Sequence, residues 1–82
     1  MTGFLVETYT PAAAVLAEIE ARTCRAAAEL EREGRPVRYV RSIFVPADET
    51  CFHLFEAASA DAVRDASERA GLSPQRIVEA IE

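Results

Sequence analysis

The segment Cys51-Phe52-His53 is the part of this chain best suited to chemistry, because it holds the only histidine and one of the two cysteines. Cys51 and His53 lie in an alternating run, and residues two apart in a strand point to the same face, with backbones about 7 Å apart. A thiolate and an imidazole are ligands for a borderline or soft divalent metal. Two ligands do not close a site, so carboxylates or a second subunit must complete it. Without them, Cys51 packs as a small hydrophobic residue and His53 is an ordinary strand residue.

The composition indicates a small globular protein. With 82 residues, 50% of them hydrophobic, the chain is expected to form a single domain over residues 1–82, with a small core and a reason to oligomerise. A net charge of -5 and the lack of a basic stripe disfavour binding to nucleic acid. No signal peptide or membrane span is visible, so we expect a cytoplasmic protein with reduced cysteines and no membrane contact.

Hydrophobic periodicity and turn residues predict strands alternating with helices. The predicted elements are strands at residues 4–8, 37–45, 50–57 and 75–81 and helices at residues 12–33 and 60–70. Thr10 is expected to cap the first helix, and Pro11 suits its first turn. Ser59 is expected to cap the second helix. Residues 46–49 predict a hairpin between the second and third strands.

The hairpin loop also predicts which residues face each other. It places Phe44 opposite Cys51, Ser42 opposite His53 and Val40 opposite Phe55. One hairpin face then carries Val37, Tyr39, Ile43, Val45, Phe52 and Leu54, and the other carries Arg38, Val40, Ser42, Phe44, Cys51, His53 and Phe55. The first set is the more apolar, so we expect it to meet the helices. Cys51 and His53 would then lie on the open face of the sheet.

The order βαββαβ in so short a chain predicts an α+β, ferredoxin-like sandwich, in which an antiparallel sheet carries both helices on one face. The other face stays uncovered, and it retains more apolar area than a monomer usually exposes. We therefore expect a homodimer that buries this face or pairs edge strands.

Several short segments occur in order along almost the whole chain. They are Leu5-Val6-Glu7, Arg41-Ser42 with Val45 and Asp48, Glu56-Ala57 before Ser59, Glu68-Arg69-Ala70-Gly71-Leu72 and Arg76-Ile77-Val78-Glu79. Together they resemble the small nickel-binding, ferredoxin-like protein family, many of whose members are labelled only as a domain of unknown function. The resemblance implies a dimeric ferredoxin-like fold and divalent nickel as the ligand. Where members of that family have cysteine, this chain places His53.

Glu7 is the carboxylate that we expect to join His53 and Cys51 in a metal site, because the first strand lies next to the third in this fold. Ser42 is expected to orient the imidazole, and Tyr9 to supply a nearby hydroxyl. Water or the second subunit would complete the coordination shell.

The resemblance thus implies that the protein binds nickel and acts in metal sequestration, tolerance or response, and that it is not an enzyme. Only the resemblance specifies nickel, since such mixed donors also suit copper, zinc and cobalt. Two alternatives stay open: a dimeric interaction module without metal, and a small oxygenase or heme-handling enzyme with His53 as base or axial ligand. The chain has no second histidine and no tryptophan, which argues against the enzyme.

Overall fold

Alternating strands and amphipathic helices give the order βαββαβ in the computed structural model, which describes residues 1–82. The elements are β1 (Thr2–Tyr9), α1 (Leu16–Arg32), β2 (Val37–Val45), β3 (Thr50–Ala57), α2 (Ala60–Arg69) and β4 (Pro74–Glu79). The strands form one antiparallel sheet in the order β2-β3-β1-β4. This arrangement confirms the predicted ferredoxin-like α+β fold. Neither helix is long and apolar enough to cross a membrane.

Helix α1 begins later than predicted, because Thr10 is engaged elsewhere. The Thr10 backbone N–H donates to the carbonyl of Glu49 at 2.7 Å, and its buried hydroxyl lies 3.2 Å from that of Thr8. Thr10 therefore does not cap the helix. Val15 occupies the cap position, where no side chain makes a capping hydrogen bond. The predicted start at residue 12 is therefore wrong, since α1 begins at Leu16.

Helix α2 has capping contacts at both of its ends, and the predicted Ser59 cap is confirmed. The Ala62 backbone N–H donates to the hydroxyl of Ser59 at 3.3 Å. After the helix, Gly71 adopts a φ of 80°, and the Leu72 N–H donates to the carbonyl of Ser67 at 2.9 Å. These contacts decide where α2 begins and ends above the sheet.

The core lies between the two helices and one face of the sheet. It consists of Phe4, Val6, Ala27, Leu30, Val37, Phe55, Ala57, Ala62, Val63 and Ala66. Cys51, His53 and Phe55 are alternate residues of β3 and therefore point to the same face of the sheet. Cys51 and His53 are both fully buried on this face. The prediction that they lie on the open face is therefore wrong.

A β-bulge in β2 explains this error. Nearer the hairpin the predicted pairing with β3 is confirmed, but the register shifts between Tyr39 and Arg41. Tyr39, in place of the predicted Val40, consequently lies opposite Phe55. Because an extra residue reverses the in-and-out alternation, the apolar set that looked continuous in sequence is divided between the two faces of the sheet.

The face of the sheet away from the helices is largely apolar and has no cover within the chain. It carries Leu5, Glu7, Tyr9, Ile43, Phe52, Leu54 and Val78. Tyr9 is 58% exposed and Ile43 is 49% exposed. An uncovered apolar face was expected, but Phe44 and Phe55 were wrongly assigned to it.

Substitutions on opposite faces of the sheet test this assignment. Phe55 is 1% exposed and packs edge-on against Tyr39 with ring centroids 5.6 Å apart. Phe55→Ala should therefore lower the free energy of unfolding by about 3–5 kcal/mol. Ile43→Ala, on the open face, should cost about 1 kcal/mol or less in dilute protein. Urea denaturation followed by circular dichroism measures both, and equal losses would contradict the assignment.

Candidate functional site

Cys51 and His53 lie side by side in β3, one of the two central strands, beneath the helices. The Sγ atom of Cys51 is 4.0 Å from Nδ1 of His53. The other cysteine, Cys24, is exposed, and neither cysteine forms a disulfide. The expected sulfur and nitrogen pair therefore exists, although it is enclosed rather than presented on the open face.

Two hydroxyl groups hold the imidazole of His53. Thr8 Oγ1 in β1 lies 3.1 Å from Nε2, and Ser42 Oγ in β2 lies 2.6 Å from Nδ1. A neutral imidazole has one donor and one acceptor nitrogen, and a hydroxyl serves as either, so both hydrogen bonds form together. The predicted contact between Ser42 and His53 is confirmed, and no buried side-chain nitrogen or oxygen in the chain lacks a partner.

The β2 bulge connects this imidazole to helix α1. Tyr39 and Ser42 would point to opposite faces in a regular strand, but the bulge turns both toward the helices, with hydroxyl oxygens 2.6 Å apart. The Tyr39 hydroxyl is also 3.3 Å from a carboxylate oxygen of Glu20, to which it donates. We use the term histidine cluster for Thr8, Glu20, Tyr39, Ser42, Cys51 and His53.

Burial controls the protonation states in the histidine cluster. It lowers the pKa of His53 to about 4, so the imidazole is neutral at pH 7. Burial, and next the negative charge of Glu20, raise the pKa of the Cys51 thiol, which is therefore protonated. Burial also raises the pKa of Tyr39 to about 12. Glu20 is left as the one acidic side chain of the cluster.

Glu7 lies on the other side of the sheet from the histidine cluster. It is on the open face, opposite Arg76 of β4, whereas Cys51 and His53 face the helices. The predicted set of His53, Cys51 and Glu7 is therefore not brought together within one chain. Tyr9 is also on the open face, so its predicted position beside the imidazole is wrong as well.

Glu20 is the carboxylate that shares a side of the sheet with His53, and the sequence prediction missed it. Glu20 directly follows Ile19, a buried residue of the apolar stripe of α1, and is itself half-buried. A residue beside such a stripe lies at the edge of the helix interface. Its link to His53 runs through Tyr39, and that link depends on the bulge.

The histidine cluster offers nitrogen and sulfur donors but no complete coordination shell. Metal bonds of about 2.1 Å to nitrogen and about 2.3 Å to sulfur would let one ion reach both His53 and Cys51 at their present separation. No group of three or more His, Cys, Asp or Glu side chains is arranged to hold an ion as the side chains stand. Tyr39 and Ser42 are half-buried on an edge strand, so the Nδ1 side of the imidazole faces that edge of the sheet.

Comparison with known proteins identifies the family to which this chain belongs. A family model described as nickel responsive protein, SCO4226-like, matches residues 4–80. The crystal structure of SCO4226 from Streptomyces coelicolor A3(2) is similar with a TM-score of 0.75, covering 95% of this chain and 94% of that chain at 24% sequence identity. That likeness supports the fold. None of the curated proteins is significantly similar to this chain.

The buried neutral imidazole predicts a loss of stability in mild acid. The pKa of His53 is 6.5 in an unperturbed chain and about 4 in the folded protein. As the pH falls through this window, the unfolded state binds a proton that the folded state does not. The free energy of unfolding should therefore decrease, by about 3 kcal/mol once the pH is below both values.

His53→Gln serves as the matched variant, because glutamine keeps a donor and an acceptor but does not titrate. Urea denaturation between about pH 7 and about pH 4 measures the stability difference between the two proteins. The carboxylates titrate in both proteins, so their effects cancel in this difference. The difference should shrink as the pH falls, because only the unmodified protein loses the stability that depends on neutral His53. A difference that is independent of pH would contradict the buried, neutral state of His53.

Proposed function

Since this chain belongs to the SCO4226-like nickel responsive protein family, we propose that it binds divalent nickel at the histidine cluster and acts in nickel sequestration, tolerance or response. The observation that carries this proposal is the 4.0 Å separation of Cys51 Sγ and His53 Nδ1 on one face of β3. These are the only histidine and the only buried cysteine of the chain.

The protonation states of the two donors give the binding a distinct pH dependence. His53 is already neutral, so it binds an ion at Nδ1 without net loss of a proton once its single N–H shifts from Nδ1, where it faces Ser42, to Nε2, where it faces Thr8. Cys51 has a raised pKa and must release its proton to bind as a thiolate. Nickel binding should therefore release about one proton per pair near neutral pH and should strengthen as the pH rises.

Glu20 is our proposed oxygen ligand. Its carboxylate is already joined to His53 through the hydroxyls of Tyr39 and Ser42. An ion at Nδ1 would displace the hydrogen bond between Nδ1 and Ser42, and the freed hydroxyl chain would allow Glu20 to move inward. Water supplies the remaining positions. The nitrogen, sulfur and oxygen donors suit nickel but also copper and zinc, so the choice of nickel rests on the family.

Calorimetric titration of tag-free protein with nickel tests the site. His53→Ala and Cys51→Ser should each weaken binding by about 10-fold or more, because each removes a direct ligand. Glu20→Gln should weaken it by a smaller factor. Parallel titrations with zinc, copper and cobalt measure selectivity.

Glu7→Gln is the matched control, since it removes a carboxylate of a neighbouring strand that faces away from the cluster. Its affinity for nickel should equal that of the unmodified chain. Unchanged affinity in both His53→Ala and Cys51→Ser would refute the proposed site even if nickel binds elsewhere.

We further propose that the protein is a homodimer joined through the open face of the sheet. This face presents Ile43, Phe52 and Leu54 from the hairpin beside Leu5 of β1. A contiguous apolar surface of this kind is rarely left in water by a monomer. Pairing it with a second copy buries it by twofold symmetry, and Glu7 then lies close to the interface.

Sedimentation equilibrium tests the dimer, with an expected mass of twice the 9.0 kDa chain. Ile43→Glu should shift the protein to monomer, because it places a charge within the apolar face. Val15→Glu is the control, since Val15 is 53% exposed but does not lie on the sheet. A monomeric unmodified chain, or equal dissociation of both variants, would refute this interface.

A further inference from the structure

We propose that the cleft between the β1–α1 connection and the α2–β4 connection binds a small zwitterion, an α-amino acid with an apolar side chain. The cleft has a volume of about 290 Å³, just below the range for small-molecule sites. It lies on the Nε2 side of His53, whereas Glu20 lies on the Nδ1 side. The cleft therefore contains none of the proposed nickel donors, and it meets the histidine cluster only at Thr8.

The cleft has one acidic and one basic side chain, Glu18 and Arg22, one helical turn apart on α1. Neither forms an ion pair within the chain. The Nε–H of Arg22 donates to the carbonyl of Ala70 at 3.1 Å, which orients the guanidinium and leaves its two terminal NH₂ groups unused. Those groups match a carboxylate in a bidentate pair.

Glu18 supplies the complementary recognition element, an acceptor for an ammonium group. With one charge of each sign, the cleft favours a ligand that is neutral overall and discriminates against simple anions and cations. Both residues also have a local role, since Arg22 bonds a carbonyl at the end of α2 and Glu18 lies in the first turn of α1. These roles use neither the terminal NH₂ groups of Arg22 nor a hydrogen bond to the Glu18 carboxylate.

Buried hydroxyls form the polar side of the cleft. Thr8 and Thr10 are 2% and 5% exposed. The hydroxyl of Thr8 is engaged with His53, but that of Thr10 contacts only the Thr8 hydroxyl, at 3.2 Å. Because a hydroxyl combines one donor with two acceptor positions, Thr10 keeps capacity for a ligand atom.

Apolar residues complete the cleft and suggest the side chain of its ligand. Ile19 and Leu72 lie in its walls, and Val15, 53% exposed, lies beside them. An aliphatic side chain placed there would cover Val15 and remove its apolar surface from water. The combination of a carboxylate partner, an ammonium partner and an aliphatic wall is what distinguishes an apolar amino acid from a fatty acid or an amine.

Titration of metal-free protein with L-leucine tests the cleft, with backbone amide NMR shifts as the readout and EDTA present throughout. We expect saturable shifts centred on Thr8, Thr10 and Leu72, with a dissociation constant below about 1 mM. L-Leucinamide, which lacks the carboxylate, and 4-methylpentanoate, which lacks the ammonium group, should each bind about 10-fold more weakly or worse. No saturable shift, or equal binding of either analogue, would overturn the proposal.

Charge-removing substitutions give a second test. Arg22→Gln and Glu18→Gln should weaken L-leucine binding by about 10-fold or more. Arg25→Gln and Glu31→Gln, on the same helix but outside the cleft, are the matched controls and should leave it unchanged. Equal effects of the two sets would overturn the assignment. Because no metal is present, this outcome is independent of whether the protein binds nickel.

Discussion

The hydrogen bonds between His53 and the hydroxyls of Thr8 and Ser42 are the interactions on which the rest of this arrangement depends. An imidazole in a central strand beneath two helices is removed from water, and a buried polar atom without a partner costs about 1–3 kcal/mol. The neighbouring strands β1 and β2 each contribute one hydroxyl to satisfy it. The histidine is therefore compatible with the core only while the sheet keeps this register, and its chemistry cannot be separated from the fold.

The bulge in β2 extends the hydrogen bonding of His53 toward the surface of the protein. By turning Tyr39 and Ser42 to the same face, it joins the imidazole to Glu20 on α1 through two hydroxyls. Tyr39 also packs against Phe55, so the same side chain serves the apolar core and the polar chain. A local irregularity in an edge strand thus connects a buried nitrogen to a carboxylate near the surface. In the proposed metal site, an ion that entered from that edge would meet Tyr39 and Ser42 before His53.

The two nitrogens of His53 lie toward different regions of the molecule. On the Nδ1 side are Cys51, Ser42 and the path to Glu20. On the Nε2 side, Thr8 leads to Thr10 and to the cleft that contains Arg22. The hydroxyls of Thr8 and Thr10 therefore belong to one hydrogen-bonded system with the proposed metal donors. A change in hydrogen bonding at one nitrogen can therefore affect the contacts of the other, because both belong to the same imidazole ring.

The sequence by itself determined the element order, the helix α2 with its Ser59 cap, and the pairing of Ser42 with His53 across the hairpin. These follow from local rules, since caps, turn residues and hairpin length act over a few neighbouring positions. It also identified Cys51 and His53 as a pair on one strand face. The tertiary structure alone decided which face that is, because the bulge at Val40 reverses the alternation that a sequence reading extends unchanged. It likewise excluded Glu7 and introduced Glu20, since the distance between a helix residue and a strand residue depends on how the helix crosses the sheet.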